Sequence, residues 1–121
     1  MGRHFDLMVW DRSHRLTSTL HRLSRRLPAY EAAGLGYELC AAAAAVPTQI
    51  AESVRCSELA ERLRHLDEAQ RRASETECLL LLLAELPYLT QDTVRMLAQE
   101  SQRIQLLLAE HKGSVARGEY D

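Results

Sequence analysis

Ala41-Ala42-Ala43-Ala44-Ala45-Val46-Pro47-Thr48-Gln49-Ile50-Ala51-Glu52-Ser53 is the stretch on which the fold turns. It has the composition of a helix and a proline in its middle. Pro47 offers no N–H to the carbonyl of Ala43 and its ring crowds that carbonyl, so an isolated helix would kink or break there. The alanines before it favour helix, and their small side chains let a neighbouring helix approach closely. Leu35, Leu39, Ala42, Val46, Ile50 and Val54 recur at spacings of three and four, and this apolar phase passes through Pro47 unbroken. The spacing predicts one bent helix over about residues 30–54, its fault compensated by packing.

On the N-terminal side, Val9, Leu16, Leu20, Leu23 and Leu27 lie on one helical stripe, ended by Pro28. After an extended start at Phe5, a helix over about 8–27 is predicted, capped by Asp6 or Asp11. On the C-terminal side, Ser57 is a candidate N-cap for a helix over about 58–86. Its core stripe is Leu59, Leu63, Leu66, Ala69, Ala73, Thr76, Leu80 and Leu83, and Pro87 stops it. Thr90 with Asp92 opens a fourth helix over about 91–111, with Val94, Leu97, Ser101, Ile104 and Leu108 inward. Residues 113–121, with Gly113, Ser114, Gly118 and charges, are expected to be a disordered tail. Four helices with short connections make an all-α, antiparallel up-and-down four-helix bundle whose second helix is bent at proline.

Leu79 to Leu83 are five consecutive leucines, which at about 100° per residue surround the helix. A small bundle cannot cover such a helix on every side. Leu79, Leu81 and Leu82, with Leu106 and Leu107 on the fourth helix, are therefore the candidate contacts with another subunit.

The 121 residues suit one domain, with 15 Lys+Arg against 17 Asp+Glu and a formal charge of −2, which excludes a polycation built for phosphate backbones. Charge is nonetheless polarised. Residues 1–28 hold six arginines against Asp6 and Asp11, a local +4 that leaves −6 for the remainder. Cys40, Cys56 and Cys78 are odd in number and form no CxxC pair, so buried cytosolic thiols are expected in place of a disulfide framework. Residues 1–11 lack the apolar run of a signal peptide, and Cys78–Ala84 falls far short of the roughly 20 apolar residues that span a bilayer. A cytoplasmic protein without a membrane partner is expected.

The order Phe5, Leu7, Val9-Trp10, Pro28, Gly34-Leu35, Leu39, Ala42-Ala43, Val46-Pro47-Thr48-Gln49-Ile50-Ala51-Glu52, Glu75-x-Glu77, Leu80, Leu86 and Tyr88-Leu89 resembles the four-helix-bundle proteins encoded in 23S ribosomal RNA intervening sequences. The same superfamily includes the accessory variability protein of diversity-generating retroelements. The resemblance covers about residues 5–110. It implies an up-and-down bundle assembled as a homopentamer and, for the retroelement members, a basic surface that binds nucleic acid and assists a reverse transcriptase. Departures shift the charge: a basic pair usual after the equivalent of Leu39 is Cys40-Ala41 here, and a Gly-Ser pair in the third helix is replaced by Arg71-Arg72.

No catalytic residue is nominated: there is no Walker loop, GxGxxG, GxSxG or HExxH, and no cysteine-histidine cluster with zinc spacing. No metal and no cofactor are expected. His14 and His21 read as solvated histidines, Glu52 as a partner for arginine or a cap on a backbone group, Glu75 and Glu77 as carboxylates on different faces, and Trp10 as a core or interface anchor. The functional candidate with physical content is the arginine face of the first helix, Arg12, Arg15, Arg22, Arg25 and Arg26. Cyclic symmetry would repeat it into a band that binds the phosphates of RNA or DNA, alone or beside a reverse-transcriptase-like partner. The competing role for these arginines is to neutralise acidic groups across helix or subunit contacts. In that case the assembly is a structural or protein-interaction ring.

Overall fold

The computed structural model describes residues 2–119. Their helices are α1 (Gly2–Ser24), α2 (Ala29–Ala33), α3 (Leu35–Arg55), α4 (Leu59–Leu83) and α5 (Gln91–Ala116). α2 is a short lead into α3, so four long helices form the body, the all-α bundle that the periodicity predicts. α1 packs on α3 and α5, and α4 packs on the same two, which stands the four long helices at the corners of a square. The chain breaks between α2 and α3 at Gly34, and Gly36 lies where α3 meets the preceding loop. A Cβ there would come within 3.0 Å of the Leu27 side chain and 3.2 Å of the Glu31 carbonyl, so a larger residue would require these neighbours to shift by a few tenths of an ångström.

The second long helix is bent by 38° and carries Pro47 within it. The compensation comes from α1. The Ala43 carbonyl, which Pro47 cannot serve, accepts a hydrogen bond of 3.0 Å from the buried Thr17 hydroxyl. Thr17 shares its proton with the Ser13 carbonyl of its own helix at 2.9 Å. Ala42 and Ala43 are buried, so the small side chains allow the approach that brings a threonine to a carbonyl of another helix. Thr17→Val keeps the shape and strands that carbonyl, and is expected to lower the unfolding free energy by about 1–3 kcal/mol. Pro47→Ala restores a backbone donor. In that background the cost of Thr17→Val is expected to fall by about half or more, as a denaturation double-mutant cycle would read.

The predicted core stripes hold through their middles. Leu20, Ile50, Leu66, Leu80, Leu83, Ile104 and Leu108 are fully buried. Val54 and Leu59, predicted inward, are exposed at the ends of α3 and α4. The inward place near Val54 belongs to Ser53, whose hydroxyl donates to the Ile50 carbonyl at 2.7 Å and so enters the core without an unmet donor.

The helix ends differ more. α1 does not begin at Asp6 or Asp11 after an extended start but is already helical from Gly2, and Asp6 is an interior, buried residue of it. Asp6 shares a stripe with Val9, Ser13 and Leu16, all buried. α4 is preceded by Glu58, not Ser57, and has no side-chain cap bond. It ends at Leu83, four residues before Pro87. Thr90 does cap α5, accepting from the Thr93 N–H at 3.1 Å.

α5 runs past residue 111 to Ala116, and Val115 is wholly buried. Gly113 is therefore an interior helix residue. The stop lies at Gly118, whose φ of +74° is the left-handed conformation glycine adopts freely. Gly118 N–H donates to Val115 O at 3.0 Å and Glu119 N–H to Ser114 O at 2.8 Å, the paired bonds of a Schellman cap. The segment expected to be disordered is a helix end as far as Glu119. Tyr120 and Asp121 lie outside the described residues.

The two extensions meet. Phe5 of α1 stacks on His111 of α5 with ring centroids 5.1 Å apart and planes at 13°. Asp6 pairs with His111 Nε2 and stands 3.9 Å from the Arg62 guanidinium of α4. Three helices are joined at one end of the bundle by a carboxylate, an imidazole at 1 % exposure and a guanidinium.

Candidate nucleic-acid interface and subunit contacts

The five candidate arginines do not form one band. Arg12 leans towards α5, where its Nε and Nη2 donate to the two carboxylate oxygens of Glu100 at 2.7 and 3.1 Å. That bond pushes the guanidinium pKa still higher, against a smaller opposing effect of burial. Arg15 pairs with Asp11 one turn earlier at 3.0 Å. Both arginines line the groove between α1 and α5, as do Asp11 and Glu100, so its charges cancel. These two take the neutralising role.

Arg22, Arg25 and Arg26 are different. Arg22 lies in the last turn of α1, about 15 Å along the axis from Arg12, and Arg25 and Arg26 lie in the turn that follows the helix. All three are exposed. Arg22 donates to the Thr19 hydroxyl at 3.3 Å, and among the described residues none of the three has a carboxylate within ion-pair distance. The local sequence accounts for their position. α1 ends at Ser24, and Arg25 and Arg26 follow in the turn where cations complement the negative end of the helix dipole.

The candidate interface leucines also divide. Leu79 and Leu107 are partly buried against the protein's own core. Leu81, Leu82 and Leu106 are 52 %, 49 % and 68 % exposed. Leu81 lines the groove between α4 and α5, beside Val94 and Ala98. At the opposite edge of the square, Leu7, Trp10, Ala51 and Val54 line an apolar groove of about 440 Å³ between α1 and α3. Trp10 is a groove wall with one face covered, since His14 stacks on it at 4.8 Å and 8°.

The remaining polar candidates have ordinary partners. Glu52 lies 3.9 Å from Arg55, Glu75 pairs with Arg72 at 3.2 Å, and Glu77 accepts from Gln102 and Gln105 of α5 at 2.6 and 2.8 Å. Glu75 and Glu77 thus serve different faces. A cluster that motif spacing missed lies at the α3–α4 corner, where Cys56, Glu61 and His65 converge. A carboxylate stands there in place of a second cysteine or histidine, which is why a search for zinc-type Cys/His spacing passes over it.

The structure resembles the 1.70 Å crystal structure of a protein of unknown function from the S23 ribosomal protein family of Bacteroides thetaiotaomicron. The TM-score is 0.81 at 22 % identity, over 88 % of this chain and 96 % of that one. That likeness supports the fold. No curated protein matches the chain. The family model of the 23S rRNA-intervening sequence protein matches residues 5–110, nearly the whole bundle, with the proline-containing stretch at its centre. The chain belongs to the 23S rRNA-intervening sequence protein family.

Proposed function

We propose that this protein is a non-catalytic, cytoplasmic homo-oligomer that binds the phosphate backbone of nucleic acid, RNA first, through Arg22, Arg25 and Arg26. The observation that carries this reading is the exposure of three guanidinium groups at the C-terminal end of α1, with no carboxylate at ion-pair distance among the described residues. In a chain of net charge −2, acids elsewhere are plentiful enough to neutralise such a cluster, and among the described residues none reaches it. Guanidinium forks suit phosphate oxygens, and each subunit of a ring repeats the cluster.

Assembly is supported by the apolar edges. Leu81 lies on the α4–α5 edge, and the Leu7, Trp10 and Val54 groove lies on the opposite, α1–α3 edge of the square. Two unlike apolar faces on opposite sides fit a head-to-tail contact, the kind that closes into a ring; five subunits is the count that the resemblance implies. A structural ring without a nucleic-acid role is the second reading, favoured by the same edges.

Arg22→Glu combined with Arg25→Glu separates the two. The expected result is an oligomer of unchanged mass whose RNA affinity at low salt falls at least about tenfold. An intact oligomer with unaltered RNA affinity, or one with no measurable affinity before substitution, favours the structural ring.

A further inference from the structure

The α3–α4 corner places a thiol, a carboxylate and an imidazole within reach of one ion. We infer that Cys56, Glu61 and His65 form a binding site for a zinc-like divalent cation, with one coordination position open to solvent. One ligand atom from each lies within 4.8 Å of the others. A tetrahedral zinc site with bonds of about 2.0–2.3 Å holds its ligand atoms closer than this, and rotation of the exposed Glu61 with smaller adjustments of the half-buried Cys56 and His65 closes the difference.

The three residues come from two elements. Glu61 and His65 are one turn apart on α4 and share a face. Cys56 is the first residue after α3, in extended backbone, where its thiol donates to the Glu52 carbonyl at 3.4 Å. A metal bound here would tie the end of α3 to the start of α4 across the short connection Cys56-Ser57-Glu58.

An independent observation concerns the histidine. His65 Nδ1 lies 2.7 Å from Gln49 Oε1 of α3. An amide oxygen only accepts, so the contact forms with Nδ1–H donating; in the neutral ring that tautomer offers the Nε2 lone pair, the arrangement in which metal-bound histidines are held by an outer partner. Gln49 belongs to the proline-containing stretch, which gives that position a role besides helix formation. Glu61 is held by Arg64 at 2.8 Å. Binding releases Arg64 to solvent and the Cys56 proton to water, leaving thiolate, carboxylate and neutral imidazole as ligands.

The set fits zinc better than magnesium or calcium, which take oxygen ligands. Cys40 and Cys78 are not equivalent. Cys40 is buried, and burial pushes its thiol pKa up; Cys78 is exposed and belongs to no such cluster among the described residues.

Cobalt(II) titration of the metal-free, reduced full chain is the test. The expected result is a thiolate-to-cobalt charge-transfer band in the near ultraviolet that saturates at one ion per chain and is abolished by zinc. Cys56→Ser removes the band. His65→Ala and Gln49→Leu weaken the affinity by about 10–100-fold, while Cys78→Ser changes nothing. Circular dichroism checks that the variants keep their helix content. Absence of the band, its survival in Cys56→Ser or its loss in Cys78→Ser would overturn the assignment.

Discussion

Asp6→Ala is expected to lower the unfolding free energy by about 3–5 kcal/mol, a large part of what a domain of this size possesses. Asp6 is buried and pairs with His111, itself almost wholly enclosed, while the Arg62 guanidinium stands 3.9 Å away. Removing the carboxylate leaves the enclosed His111 imidazole without the group it pairs with. The loss of a partner costs far more than the intact pair contributes, because the surviving polar group stays desolvated. Asp6→Asn keeps the shape and an acceptor and should cost less. Urea denaturation at one fixed protein concentration reads both, since the proposed assembly would make stability concentration-dependent. A loss below about 1 kcal/mol for Asp6→Ala would show that the pair is solvated in solution.

That pair also marks where sequence patterns stop being informative. An aspartate ahead of an apolar run reads as a helix cap, and Gly113 after a run reads as a helix end. Neither does so here, because α1 and α5 extend to meet each other. Phe5 on His111 and Asp6 on His111 are contacts between residues more than a hundred positions apart. No local window contains them. The middles of the helices were legible because burial there follows a 3.6-residue period, and Thr90 was legible because a cap is a local hydrogen bond.

The proline stretch lies between these cases. Its sequence shows that Ala43 loses a donor. Only the structure shows that Thr17 supplies one. Likewise the arginine content of residues 12–26 was plain, while its division into Arg12 and Arg15, already paired, and Arg22, Arg25 and Arg26, without a carboxylate among the described residues, depends on where Glu100 and Asp11 fall.

Leu81→Glu is expected to reduce the particle to a monomer of 13.7 kDa without unfolding it. Leu81 is about half exposed, so the chain's own core loses little, whereas a carboxylate in an apolar contact is costly to desolvate. Val54→Glu, in the groove on the opposite edge, should do the same. The pair tests the symmetry of assembly. In a head-to-tail contact each variant keeps the face that the other lacks, so an equal mixture should form a dimer through one intact interface. If each face instead packs on its own equivalent, each variant keeps one working contact and forms a dimer alone, which light scattering or sedimentation would detect. An unchanged oligomer in both variants would place the contact elsewhere.

The central claim, a ring whose unpaired arginines hold nucleic-acid phosphates, is tested most directly by light scattering on the purified protein with and without single-stranded RNA across a salt series. The account predicts a multi-subunit particle that gains mass with RNA at low salt and loses it as salt rises. With three phosphates held per engaged subunit, log K should fall against log salt with a slope of about −2, and Arg22→Glu with Arg25→Glu should abolish the gain. A particle of the same size that takes up no RNA at low salt, or a plain monomer, would contradict it.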